Sequence, residues 1–410
     1  MLCSFLVLEG GWSYCKRVFN IMSTDSLRVA LVHDEFVRRG GAEAVLEEMV
    51  KMFPQVHVYG LYAGPRPFFT LDGRKYNIRT SFLQKLPLWM RQHPRRLLPL
   101  LPHAAEQFDL SAYDLVISSS SGFSKGVITR SLIPSICYCH TPTRYLWDAT
   151  HEVSAKAPLG GKYISRALLH YLRMADFAAA QRPDMFIANS HFTADRIAHY
   201  YRRESTVVYP PIRTDFFTPM VHPRGVPWVR EERPFVLLGR LTPAKHFEQA
   251  VAVCTKLQLP LLVVGGGSEA GRLQKMAGPT IQFAGNIAAQ AVRNALRNGR
   301  ALLQPGIEDF GMAAAEALAC GTPVIAYKSG GVTEIVTSSK HGILYPTARP
   351  EGLAQALRQF MLVEHTFEAS VLQKQAMEFS TYRFRKDFGQ QVEIALRGIS
   401  TIGYSKAIIN

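Results

Sequence analysis

Cysteine is scarce and unpatterned in this sequence, with six residues at Cys3, Cys15, Cys137, Cys139, Cys254 and Cys320 of 410. None forms the two-residue-gapped pair of a metal or redox motif, since Cys137 and Cys139 are separated only by Tyr138. That speaks against a zinc site, and the thiols are read as reduced in a cytosolic protein. Cys137 and Cys139 fall in a predicted strand and are expected on opposite faces. Acidic residues are also short: 32 Asp and Glu against 47 Lys and Arg leave a net charge of +15 and a pI near 9.6. Such an excess favours acidic partners, whether nucleic acid, an anionic membrane or phosphorylated substrates. The start of the chain lacks a long apolar run. Leu2–Leu8 is too short to span a bilayer and has no basic flank of the kind a signal sequence carries. Met22 immediately precedes the first regular pattern, so residues 1–24 are expected to be an unstructured extension, with Met22 the natural start.

What is present is the make-up of a folded protein, 47% hydrophobic and 19% charged. At this length two domains are the default. Short apolar runs alternate with helix-length segments on both sides of a proline-bearing stretch. The expected fold class is therefore α/β, two doubly wound Rossmann-like domains facing a cleft. The first covers 25–212, a linker 213–233 and the second 234–385. Residues 386–410 form a C-terminal helix and tail that could pack back on the first domain.

The most informative stretch is Leu302–Val336, LLQPGIEDFGMAAAEALACGTPVIAYKSGGVTEIV. It reads as strand, glycine-bearing loop, helix, a Gly-Thr-Pro stop, a second strand and a Gly-Gly turn. Glu308 and Glu316 have seven residues between them. Eight helical steps span roughly 12 Å, too far for a glycosidase carboxylate pair at about 5–9.5 Å. Each carboxylate therefore has its own job: Glu308 to accept from sugar hydroxyls, Glu316 to hold a ribose diol. The backbone N–H groups of Phe310, Gly311, Met312 and Ala313 open a helix, where unpaired donors and the helix dipole favour an anion.

The string E-D-F-G-M-x3-E-A-x-A-C-G-T-P-V-I-A resembles the E-x7-E signature of retaining GT-B glycosyltransferases (group 1, or family four). Two further segments point the same way. His140-Thr141-Pro142-Thr143-Arg144-Tyr145-Leu146-Trp147-Asp148 resembles the H-T-P-x-R-Y-x-W-D segment of O-antigen mannosyltransferases in that family, in which the histidine faces the donor sugar. The alternative for His140 is a strand-end histidine bonded to backbone. Arg144 and Asp148 are candidates for donor or acceptor binding, while Tyr145 and Trp147 read as packing. Gly239-Arg240-Leu241-Thr242-Pro243-Ala244-Lys245 resembles the family's G-R-x4-K element, which neutralises the donor diphosphate. Arg240 can grip phosphate oxygens bidentately and Lys245 adds a point charge. With two cations stabilising the departing diphosphate, no metal and no other cofactor is required.

Weaker signals surround these. Gly40 and Gly41 follow the first strand and let a ligand approach a helix start. Gly266, in a run of three glycines, and Asn286 lie where the resemblance places the nucleotide, although plain turns would look alike. Residues 74–103 hold seven Lys and Arg and no acid, interleaved with Trp89 and leucines and broken by four prolines. That suits either an anionic membrane surface or a solvated helix pair with its leucines in the core; no nucleic-acid recognition motif matches. The resemblance implies transfer of a hexose, with mannose from GDP-mannose as the leading donor, to a lipid-linked glycan of O-antigen, capsule or exopolysaccharide. The enzyme would work at the inner face of the cytoplasmic membrane. The rivals are a GT-B epimerase or phosphorylase, and a basic binder of nucleic acid or membranes.

Overall fold

Runs such as Val29-Ala30-Leu31-Val32 are apolar on both faces, as suits a parallel strand covered by helices on each side. A computed structural model describes residues 27–37, 40–65, 67–91, 94–148, 162–220 and 233–407. The expected extension at 1–24 and most of the expected linker (221–232) lie outside the described residues. The chain forms two compact units. One takes in the residues up to Asn189, Thr193–Val208 and those from Arg385 on; the other takes in Ser190–Phe192 and Tyr209–Phe384. The final helix, Thr381–Ala407, thus contributes its residues from Arg385 to the first unit, where the Arg385 guanidinium pairs with Glu48.

The first unit holds an eight-stranded sheet. Its strands are β1 (Val29–Phe36), β2 (His57–Ala63), β3 (Phe68–Leu71), β4 (Arg74–Thr80), β5 (Leu115–Ser120), β6 (Ser135–Cys139), β7 (Met185–Ala188) and β8 (Thr206–Val207), in the order β3-β4-β2-β1-β5-β6-β7-β8. Every pairing is parallel except the β3–β4 hairpin. The chain builds outward from β1 on one side, then returns to lay β5 on the other, so the topological switch falls between β1 and β5. Register sets His33 beside Ser119 and Ser119 beside Tyr138.

Two expectations are corrected here. Residues two apart on a strand share a face, and Cys137 and Cys139 accordingly sit in one cluster with Phe186, Ile197 and Tyr201. Both are free and buried. Within 74–103, residues 74–80 are strand β4, not part of a helix pair. The Asp72-Gly73 turn before it has both residues at positive φ, +49° and +77°, which is the hairpin chemistry of an Asp-Gly pair. Leu83 and Leu97 are fully buried, whereas Leu88, Trp89 and Leu100 are exposed, and the Arg96 guanidinium lies 4.8 Å over the Trp89 ring.

The second unit holds six parallel strands, β9 (Phe235–Leu238), β10 (Leu261–Val264), β11 (Ile281–Gly285), β12 (Leu302–Gln304), β13 (Val324–Tyr327) and β14 (Gly342–Tyr345). Their order is β11-β10-β9-β12-β13-β14, which puts a switch point between β9 and β12. Neighbouring residues serve opposite cores: Phe235 and Leu237 join one cluster and Val236 the other, while Leu303 and Leu302 divide in the same way. No helix among the described residues is long and apolar enough to cross a membrane.

Candidate functional site

In open parallel sheets, ligands bind outside the carboxyl ends of the strands at the switch point. In the second unit the loops leaving β9 and β12 carry the two candidate motifs to that point. Gly239, at φ +146°, turns the chain out of β9 into a single 3-10 turn, Pro243–Lys245, ahead of the helix Phe247–Lys256. Arg240 is exposed on this loop. Across the switch point, Gly306 lets the loop after β12 lie against that turn: a Cβ there would stand 2.7 Å from the Lys245 carbonyl oxygen. The result is an ion pair between Lys245 and Glu308, both partly exposed. The structure thus joins two residues expected to work separately.

The loop is fixed from the other side as well. The N–H of Gly331 donates to the Glu308 carbonyl at 2.9 Å, and a Cβ on Gly330 would come within 2.4 Å of that oxygen. Gly311, left-handed at φ +104°, then caps the helix Met312–Ala319. A helix start leaves its first N–H groups without intrahelical partners, here beginning at Met312. Phe310 contributes only backbone, because its ring is buried against Tyr209 and Phe379. Met312 is half-buried.

Glu316, further along that helix, is half-buried. Burial pushes its carboxyl up to about 7, with Arg213 pulling the other way. Arg213, which had not been singled out, lies 4.6 Å over the Phe216 ring. Gly266 and Asn286 come together after β10 and β11, and a Cβ on Gly266 would meet the Asn286 amide at 2.9 Å. Among the second-unit candidates, the structure therefore groups Arg240, Lys245, Glu308 and Gly311 around one switch point, with Gly266 and Asn286 a pair at the neighbouring strand ends.

In the first unit His140 directly follows β6 and is buried, 8% exposed. Its Nε2 lies 2.8 Å from Ser119 Oγ, and its carbonyl accepts from the Asn189 amide. Burial, helped by the nearby His33, pulls the imidazole down to about 3, so the ring is neutral at ordinary pH. His33, at 3% exposure, sits at the carboxyl end of β1 with Nδ1 3.0 Å from the Ser119 carbonyl and Nε2 3.5 Å from Glu43. Glu43 in turn accepts from the Gly40 N–H at 2.8 Å, in the first turn of the helix Gly41–Met52. Gly40 and Gly41 are exposed; the residues before them, 38 and 39, lie outside the described ones.

The segment after His140 is shaped by a buried charge. Asp176 accepts from Lys125 at 2.6 Å, Thr143 Oγ1 at 2.9 Å, Trp147 Nε1 at 2.8 Å and Tyr201 OH at 2.8 Å. Trp147 packs as expected, stacked on Tyr200. Asp148, a candidate for donor or acceptor binding, is exposed and pairs within the unit with the Arg196 guanidinium and the Tyr200 hydroxyl. Arg144 opens the short helix Arg144–Trp147 and is half-buried. His33, Glu43, Ser119, Lys125 and Asp176 were not picked out as functional from sequence. For His33 a usable signal existed: a polar residue ending the first parallel strand, where such sheets bind ligands.

Residues 39–216 match the model described as Glycosyltransferase Family 4, and 223–377 the model described as Glycosyl transferases group 1. A GDP-mannose-dependent alpha-(1-6)-phosphatidylinositol dimannoside mannosyltransferase of Mycobacterium tuberculosis is 36% identical over 128 residues, 29% of this chain and 33% of that one. A D-inositol 3-phosphate glycosyltransferase of Mycobacteroides abscessus is 28% identical over 197 residues, 44% of each chain. The matched stretches thus span between a third and a half of the length of these relatives. The crystal structure of Anabaena HepE in complex with UDP superposes with a TM-score of 0.63 at 16% identity, covering 90% of this chain and 100% of that one. The chain therefore consists of a glycosyltransferase family 4 domain followed by a glycosyl transferases group 1 domain, on the GT-B fold.

Proposed function

We propose that this protein is a retaining, metal-independent hexosyltransferase that moves mannose from GDP-mannose to a lipid-linked glycan in O-antigen, capsule or exopolysaccharide synthesis. The observation that carries the reading is the meeting of Lys245, Glu308 and the helix start at Gly311 on the two loops that flank the β9/β12 switch point. A cation, a carboxylate and free N–H donors in one place suit a glycosyl diphosphate, whose leaving group is anionic and whose sugar is a cluster of hydroxyls. Arg240 and Lys245 neutralise the departing diphosphate. A bound diphosphate draws Lys245 toward itself, and Glu308 is then released to the donor hydroxyls. Glu316 receives the ribose diol. His140 steadies the sugar, and attack on the same face, with the departing phosphate taking the acceptor's proton, accounts for retention.

GDP-mannose and a membrane-bound acceptor are supported by the mannosyltransferase relative, whose name includes both GDP-mannose and a phosphatidylinositol glycolipid. The exposed Trp89 beside Arg96, on a chain of net charge +15, supports attachment to an anionic cytoplasmic membrane face. Titrating GDP-, UDP- and ADP-sugars in a thermal-shift assay tests the donor. A ligand at a hundred times its Kd stabilises by about 2.7 kcal/mol, so the true donor raises the melting temperature by a few degrees. A rise with UDP-sugars alone moves the assignment to that nucleotide, and no rise with any of them ends the transferase reading. Turnover of nucleotide sugar without acceptor would show an epimerase instead, and a covalent glycosyl–enzyme adduct found by mass spectrometry would exclude same-face attack.

A further inference from the structure

The first unit's own switch point, between β1 and β5, carries a buried polar chain of which the glycosyl-transfer chemistry above uses only the last member, His140. It runs Glu43, His33, Ser119, His140. His33 Nδ1 lies 3.0 Å from the carbonyl oxygen of Ser119 and 3.1 Å from its Oγ. A carbonyl oxygen only accepts, so Nδ1 must carry a proton. His33 Nε2 faces a Glu43 oxygen at 3.5 Å, and an ionised carboxylate there calls for a proton on that nitrogen too. His33 is thus the imidazolium partner of Glu43. The other groups near it agree: burial would lower its pKa, but Glu43, Asp34 and the Ser119 carbonyl together raise it above the ordinary value. Asp34 also fixes the loop after β5, accepting from the backbone N–H groups of Ser121 and Ser124 at 2.5 and 2.8 Å.

Directionality then passes along the chain. Ser119 Oγ receives part of the His33 Nδ1–H bond, and donation to His140 Nε2 at 2.8 Å is the arrangement that also gives its own O–H an acceptor. The His140 ring is neutral, so its single proton must sit on Nδ1. We propose that His33 and Ser119 are positioning residues that lock His140 as the Nδ1–H tautomer, so that it meets a ligand at the carboxyl edge of this sheet as a hydrogen-bond donor. A donor of this kind recognises an electron-rich oxygen, such as a sugar hydroxyl or a glycosidic oxygen, and it cannot serve as the base that takes the acceptor's proton. Only that choice of ligand rests on the transferase reading; the tautomer does not.

The test is nuclear magnetic resonance on the full chain labelled with nitrogen-15 histidine, with the His140 signal assigned by its loss in His140→Gln. The long-range proton–nitrogen pattern distinguishes the two tautomers without any substrate. The expected result is the Nδ1–H pattern for His140, unchanged between about pH 6 and about pH 8. Ser119→Ala should turn it into a mixture with the Nε2–H form, and Ser119→Thr, which keeps the hydroxyl, should restore it. An Nε2–H pattern in the unaltered protein, a His140 titration midpoint near that of free histidine, or no change in Ser119→Ala overturns the proposal. If Ser119→Ala does not fold, Glu43→Gln supplies the second arm: the His33 signal should lose its imidazolium character, and persistence of the charge would overturn the chain of argument. With donor and acceptor, Ser119→Ala should lower kcat roughly tenfold with little change in KM, less than the loss expected on removing a proton-transferring group itself. If no sugar nucleotide supports transfer, that arm is silent while the tautomer measurement still decides the proposal.

Discussion

At the scale of single residues, the first unit depends on one buried carboxylate. Asp176 and Lys125 are almost wholly excluded from solvent, and Asp176 also orders Thr143 and Trp147. Asp176→Ala strands a buried ammonium and should cost about 3–5 kcal/mol, read as a drop in denaturant midpoint. Replacing both partners with apolar residues of similar volume should cost less, because no uncompensated charge remains. Glu316 makes the opposite kind of prediction. Its folded carboxyl titrates at about 7 against an ordinary 4.5, so the folded state holds the proton more tightly than the unfolded chain. Stability from this group is complete below about pH 4.5 and is lost as pH rises through about 7. Glu316→Gln should therefore stabilise the protein at pH 8 by up to about 3 kcal/mol and have little effect at pH 4. Melting temperatures of the pair across that range check it; equal shifts at both ends would contradict the sign. The same variant should weaken nucleotide binding if the carboxylate holds a ribose.

At the scale of elements, the site in the second unit is built by glycines that let loops touch. Gly306 is the decisive one, because a methyl group there meets the backbone oxygens of Ala244 and Lys245 at 2.8 and 2.7 Å. Backbone cannot step aside as a flexible side chain would, so Gly306→Ala must push the β12 loop away from the Pro243–Lys245 turn. A loss of about 1–3 kcal/mol is expected from overpacking. The thermal response to sugar nucleotides should fall further than the stability does, because Lys245 and Glu308 separate. Gly271→Ala, in open space within a helix, is the control and should leave both unchanged or slightly improve stability.

At the scale of the whole molecule, the net charge of +15 and the exposed Leu88, Trp89 and Leu100 set an expectation for surfaces. Vesicles containing anionic lipid should bind the protein and release it as salt rises. Trp89→Ala should weaken that binding, and neutral vesicles should bind poorly. Co-sedimentation measures all three, and binding indifferent to lipid charge would remove the membrane from the proposed function. Other residues of 74–103 serve the fold: Arg79 bonds the hydroxyls of Tyr59 and Tyr113, Arg91 bonds the carbonyls of Ala63 and Leu86, and Leu83 and Leu97 are core.

Local pattern was enough to read the alternating strands and helices, the two doubly wound units and the candidate loops at 239–245 and 306–311, because short apolar runs and glycine-bearing turns are properties of neighbouring residues. Sequence also held the Asp72-Gly73 hairpin, although the basic composition around it hid the strand. Tertiary structure alone decided which of those loops meet. Strand order places β12 beside β9, and only then do Lys245 and Glu308, 63 residues apart, form a pair. It likewise decided that Asp148 is bound by Arg196, and that His33 and His140 share Ser119. Each of these contacts joins residues far apart in the chain, and their partners follow from how the sheet is ordered and covered, which no local pattern records.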